Sequence, residues 1–321
     1  MARGAFPGGA ALTRAGAAWV LVEDRPDRAL GGALLWADRQ GASSLDLLAE
    51  SGTGLLARRA ALFAAPVTVW RVDDRELRPA RPDPYPPEAD VPEPLRPLRA
   101  TIVASGAEPV VEHGVLSGEV AGLEICRAVF SEDGAPRLDV GIGAHDREAF
   151  ALVHGRQDDV GPVLAELVRT VAAHRRPGAA PHALNRLGRE RYLRGRLIAD
   201  PGLVGLTELR PAAPPVPRTN LKDPVPCVAL GRAPDGAPVV VVCSAGVDLD
   251  LVPFGADARA AVGHADARLV LAVPEGDDHP ALRSLAARLV RPADVVAVPA
   301  ERSDASSGAA PDVGAARPVG P

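Results

Sequence analysis

The sequence predicts an α/β protein: a small parallel βαβαβ unit at its N-terminal end, a β-rich middle and a mixed α/β C-terminal part. Three observations lead there. Short apolar runs alternate with helical patterns between residues 16 and 78, the order that parallel neighbours require. Closely spaced apolar runs surround an Asp133-Gly134 turn signal further on. Strand and helix patterns then alternate again up to Val298.

Taken in order, residues 1–15 are small and glycine-rich and read as a disordered start. Trp19–Val22 reads as a buried strand. Asp27 is placed to cap a helix from Arg28 to Arg39, with Leu30, Leu34 and Leu35 on one face. Leu45–Ala49, Leu55–Phe63 and Val67–Val72 continue as strand, helix and strand, which closes a domain at 16–78. Eight prolines between Pro79 and Pro97 exclude helix or central strand, so 79–98 is expected to be a semi-rigid linker. The domain at 99–176 combines the strands Val115–Val120, Leu123–Phe130 and Leu138–Ile142 with a helix over Val160–His174. Residues 177–300 begin with an arginine-rich helix over Ala183–Ile198. They continue with the strands Cys227–Leu230 and Val239–Cys243 around Asp235-Gly236, strand Leu269–Val273, helix Pro280–Leu289 and strand Val295–Val298. Residues 301–321 read as a disordered tail. The sequence carries no convincing internal repeat.

Composition narrows the function classes. Hydrophobic content of 47% with 24% charged residues is that of a soluble globular chain, and 3% aromatics implies cores of Leu, Val and Ala. No apolar run approaches the ~20 residues of a membrane span, so no membrane partner is expected. Cys126, Cys227 and Cys243 lie far apart in sequence without a CxxC, and read as buried thiols in a reducing, cytoplasmic setting. Lys222 is the only lysine, an arginine bias of the kind a GC-rich genome imposes, so clustering is more informative than counts. A net charge of −5 argues against whole-chain attraction to nucleic acid. One segment departs from that balance: Arg175 to Arg196 holds seven arginines against one acid, Glu190. If exposed, it is an anion-attracting patch.

Two constellations carry candidate chemistry. Asp248 and Asp250 follow the strand Val239–Cys243 at alternate positions and so lie on one side if extended, where a pair of carboxylates can hold Mg²⁺; the competing reading is turn and loop-capping residues, exposed and solvated. Glu190 is a third carboxylate. On a continuous helix Arg186, Glu190 and Arg194 fall at i, i+4 and i+8, so Glu190 can also bridge the two arginines. No HExxH, P-loop or GxSxG is present. His145-Asp146-Arg147-Glu148 and Asp277-Asp278-His279-Pro280 read as helix starts. Ser51-Gly52-Thr53-Gly54 reads as a βα turn whose backbone can approach a phosphate.

The order of a Glu-bearing helix, a strand hairpin, Asp248, then strand, helix and strand over residues 183–298 resembles the restriction-endonuclease-like, PD-(D/E)XK, superfamily. The resemblance implies Glu190, Asp248 and Asp250 as catalytic residues, with Asp248 and Asp250 as the metal ligands and Mg²⁺ as cofactor. It implies Arg186, Arg189, Arg194 and Arg196 as phosphate-binding residues on the helix. The next strand of that family carries Glu/Gln-x-Lys, whereas Arg268–Pro274 here has neither acid nor lysine. A competing placement at Glu124 and Asp139 meets Gly141 at the lysine position. The expectation is therefore a degenerate nuclease-fold module that binds nucleic acid, a nucleotide or another phosphate-bearing partner. An active Mg-dependent phosphodiesterase and a non-catalytic structural or interaction protein are the alternatives.

Overall fold

Along Ala17–Val22 and Ser44–Ala49 every second side chain is buried, the period of two expected where one face of a sheet is covered. In the computed structural model, which describes residues 2–143, 160–176, 178–180, 182–217, 225–262 and 266–300, these segments lie in a six-stranded sheet. Its strands, adjacent in chain order, are β1 (Ala2–Phe6), β2 (Gly9–Arg14), β3 (Ala17–Val22), β4 (Ser44–Ala49), β5 (Val67–Asp73) and β6 (Glu76–Pro79). β1, β2 and β3 form an antiparallel meander. β3, β4 and β5 are parallel, joined through α1 (Leu30–Arg39) and α2 (Thr53–Ala60). The expected disordered start is thus corrected. Residues 2–14 are a hairpin whose backbone pairs onto β3 and whose Phe6 and Ala11 enter the core.

The middle of the chain supplies α3 (Leu98–Ala104) and a four-stranded antiparallel meander. Its strands are β7 (Glu108–Glu112), β8 (Val115–Val120), β9 (Leu123–Phe130) and β10 (Pro136–Val140). Helix α4 (Gly161–Arg175) packs Leu164 and Val171 against it. The arginine-rich segment is not one helix. A 3₁₀ turn at Ala183–Arg186 ends, Gly188 turns with φ of 55°, and α5 (Arg189–Ala199) begins there. Left-handed φ suits glycine, and it separates Arg186 from the helix that carries Glu190.

The last sheet repeats the order of the first. β11 (Glu208–Ala212), β12 (Cys227–Arg232) and β13 (Pro238–Cys243) form an antiparallel meander. β13, β14 (Arg268–Pro274) and β15 (Asp294–Val298) are parallel, joined through α6 (Leu251–Ala261) and α7 (Pro280–Ala287). A βββαβαβ unit therefore occurs twice, although the sequence shows no repeat. Helix α6 is absent from the sequence-based order, and it stands between the Asp248 loop and β14.

The two units share one core. Val20 and Leu47 of the first sheet, Val240 and Leu271 of the last, and Leu30, Leu56, Leu251 and Leu285 of the four helices belong to a single cluster. The helices form a layer between the sheets. Just beyond α2 and α7 the chains exchange backbone bonds at equivalent places, Ala64 N–H to Arg288 O and Val290 N–H to Leu62 O, each at 2.9 Å. The other face of the last sheet packs Val239, Val241 and Val270 against Leu193 and Leu197 of α5. Cover on both faces is why β14 is apolar from Leu269 to Val273.

One carboxylate lies inside the helix layer. Asp257 of α6 is fully buried, and accepts from Arg58 Nε at 2.8 Å, Arg58 Nη2 at 3.0 Å and Arg59 Nε at 3.3 Å, both arginines on α2. Arg58 also donates to the carbonyls of Asp83 and Pro84 and stacks on Tyr85, 4.3 Å from the ring centre. The proline-rich stretch is therefore tied down as a strap on the first unit. Removing one member of a buried charge cluster leaves the others uncompensated, at a cost of about 3–5 kcal/mol. Asp257→Ala is expected to lower unfolding stability by about that amount in a urea titration. A loss within about 0.5 kcal/mol, typical of a surface change, would contradict this reading.

Candidate functional site

Helices α1 and α6 begin side by side. Gly31 lies so close to the Leu249 carbonyl that a Cβ would collide with it. The cap expected from Asp27 is not what holds α1. Instead the Asp250 carboxylate, at the start of α6, accepts from Gly31 N–H at 3.0 Å. The neighbouring Asp248 is ion-paired with Arg28 and also accepts from Asp250 N–H at 3.0 Å. The pair thus makes capping bonds, one of them across the two units, but Asp250 is buried and not solvated.

These residues open on a cavity of about 470 Å³. Arg25, Asp27, Arg28, Leu55 and Arg59 of the first unit line one side. Asp248, Asp250 and Phe254 of the last unit, with Val216, Pro217, Val225 and Pro226, line the other. Arg25 pairs with Asp27 at 3.6 Å, both half exposed. Arg59 is buried, donates to the Asp27 carbonyl at 2.8 Å and lies 5.5 Å from the Phe254 ring centre. Burial pushes the Asp250 carboxyl up to about 7. The Gly31 N–H opposes that rise, Asp248 adds to it, and Arg59 and Arg28 oppose it. Sequence reasoning found the acids but missed the arginines of 25–59, because nothing local shows that α1 and α6 start together.

Glu190 is elsewhere. It is buried in the first turn of α5, on the opposite face of the last sheet from the helix layer, and its carbonyl accepts from Cys227 Sγ at 3.1 Å. It does not line the cavity that Asp248 and Asp250 share. The expected convergence of Glu190, Asp248 and Asp250 is corrected on that ground. Among the described residues no group of three or more His, Cys, Asp or Glu could hold a metal ion.

The arginines of the helix also differ from expectation. Arg194 is 1% exposed and meets Glu112 Oε1 at 2.8 Å and Glu119 Oε2 at 3.2 Å. Arg191 is buried against the same two carboxylates. Glu112 and Glu119 belong to β7 and β8, so this cluster fastens α5 to the middle sheet. Burial and Glu119 push the nearby Glu108 carboxyl up, against the pull of Arg194. Arg175 is buried and donates to the carbonyls of Ala121, Leu184 and Leu187. Arg196 donates to Pro299 O at 2.9 Å, and Arg189 stands 4.0 Å from Asp277. Arg186 is exposed in the preceding turn. Arg194 is thus corrected from phosphate ligand to structural cation, while Arg186 and Arg189 remain on the surface.

The lesser candidates resolve into local contacts. Glu124 takes a two-pronged bond from Arg127, and Asp139 pairs with Arg137 at 2.8 Å. His279 Nδ1 caps α7 through Ala281 N–H, and Asp277 accepts from Gly246 N–H at 2.7 Å. The Asp83 carboxylate lies against Gly54 at the start of α2, where a phosphate would otherwise approach. Residues 145–148, Lys222 and the segment 301–321 lie outside the described residues.

The chain is a mixed α/β protein in which two like units enclose a cavity at their helix starts. No family model, curated protein or solved structure matches it. Among the described residues no helix is long and apolar enough to cross a membrane.

The raised Asp250 carboxyl fixes a pH dependence. Between the ordinary carboxylate range and pH near 7, folded Asp250 keeps a proton that the unfolded chain has released. Its contribution therefore makes stability fall as pH rises through that window and level off above it. Asp250→Asn keeps the acceptor for Gly31 N–H and removes the titration. Relative to the wild type, the variant is expected to gain melting temperature at pH 8 over pH 5; equal differences at the two pH values would contradict the assignment.

Proposed function

We propose that the protein is a non-catalytic binding module for a small phosphate-bearing partner, inorganic phosphate or a nucleotide, taken up in the cavity between the two units. The observation that carries this reading is the convergence of Arg25, Arg28 and Arg59 on one cavity. Planar guanidiniums give paired, charge-assisted hydrogen bonds to phosphate oxygens. Leu55, Phe254, Pro217 and Pro226 offer an apolar wall suited to the rest of a nucleotide. In this reading Asp248 and Asp250 set the arginines and the helix starts in place and are not metal ligands. The arginines of α5 do not form the phosphate site, because Arg191 and Arg194 already face Glu112 and Glu119.

Calorimetric titration with inorganic phosphate and with AMP tests it, with a short oligonucleotide as comparison. Arg25→Ala and Arg28→Ala are each expected to weaken binding roughly 10-fold or more, the scale of a lost hydrogen bond to a charged group. Arg189→Ala and Arg196→Ala leave the affinity unchanged. Oligonucleotide binding that depends on Arg189 and Arg196 while Arg28→Ala is silent would move the function to the arginine helix. Mg²⁺-dependent cleavage of DNA or RNA abolished by Asp248→Ala would establish the phosphodiesterase instead.

A further inference from the structure

Cys227 opens β12 and Cys243 closes β13, and the two are Cα partners across the antiparallel pair. Such partners have Cα atoms about 4.5–5.5 Å apart, inside the roughly 4.4–6.8 Å that a disulfide spans. Both side chains point to the α5 face of the sheet, among Leu193, Leu197 and Val241. Both are buried, and they lie within hydrogen-bonding reach of each other. A pair far apart in the chain and apolar in its neighbours is thus a facing dithiol.

The two thiols are electrically unequal. Burial alone would raise the Cys227 thiol. The hydrogen bond from Cys243 and the Arg194 and Arg191 guanidiniums outweigh it and bring Cys227 below its ordinary value. Cys243, held by that hydrogen bond to Cys227 and buried, is pushed well up. One sulfur beside fixed cations and a protonated partner facing it match the division between an attacking and a resolving cysteine; both are buried, so a hydroperoxide reaches them only when α5 opens locally.

We propose that Cys227 and Cys243 are a redox modification site that closes to a disulfide when a hydroperoxide reaches it. With hydrogen peroxide, the Cys227 thiolate attacks one peroxide oxygen. An S–O bond forms, the O–O bond breaks, and hydroxide leaves and takes up a proton as water. The Cys243 sulfur then attacks the Cys227 sulfenic acid. The S–S bond forms, the S–O bond breaks, and the departing hydroxide takes the Cys243 proton. Two thiols are oxidised and one peroxide is reduced to two waters. The disulfide removes the hydrogen bond that Cys227 gives to the Glu190 carbonyl in the first turn of α5. Oxidation therefore changes the seat of the helix that holds the middle sheet.

The test uses the full chain, reduced and then exposed to hydrogen peroxide. Intact mass is expected to fall by two hydrogens. Thiols titrated after denaturation should drop from three to one, and peptide mapping should link Cys227 to Cys243 and leave Cys126 free. In Cys243→Ser, a dimedone adduct should appear on Cys227 in place of the cross-link. Mapping of the wild type stands by itself if that variant fails to fold. Three thiols remaining free, or oxygen added to Cys126 as readily as to Cys227 with no cross-link, would overturn the proposal.

Discussion

Asp257 carries an electrostatic constraint on which the arrangement of the two units depends. A carboxylate fully removed from water inside a helix layer is tolerable only with cations beside it, and both cations come from α2 of the other unit. That requirement fixes α6 against α2. With the backbone bonds between residues 62–64 and 288–290, it fixes one sheet relative to the other. The cavity follows from this geometry. Its arginines and Asp27 belong to the first unit and Asp248 and Asp250 to the last, so neither unit alone contains the site.

A second cluster of buried charge does for the middle sheet what Asp257 does for the helix layer. Arg191 and Arg194 of α5 face Glu112 and Glu119 of β7 and β8. The middle of the arginine run, Arg191 and Arg194, is therefore internal wiring between layers. The charge of Arg191 and Arg194 does not reach the surface, because compensating acids some 80 residues upstream face them, while Arg186 and Arg189 stay exposed.

Much of the fold was legible where the physical cause is local. The strands Val67–Val72 and Leu269–Val273 follow from β-branched and apolar runs, and the Asp133-Gly134 and Asp235-Gly236 hairpins from their turn residues. Helix α6 was not legible. It is buried nearly all round, so it has no polar stripe, and it carries Pro253 and Gly255, which read as breakers. Proline is tolerated there because it falls in the first turn. The strands β1 and β2 are small and glycine-rich and are ordered by pairing with β3, which no window of fifteen residues reveals. At the site, Asp248 and Asp250 stood out as alternate acids, but their partners Arg28 and Gly31 lie about 220 positions away. The facing of Cys227 and Cys243 likewise depends on strand register and not on spacing.

Whether the two like units are one cooperative body is tested most directly by a single urea titration with two probes. Trp19, Trp36 and Trp70 all lie in the first unit, and Cys227 and Cys243 in the last. Tryptophan fluorescence and the exposure of those two thiols to a labelling reagent, followed by peptide mapping, are expected to trace the same transition with one midpoint. Two separated midpoints, with thiols exposed while the tryptophan signal is still native or the reverse, would contradict a shared core.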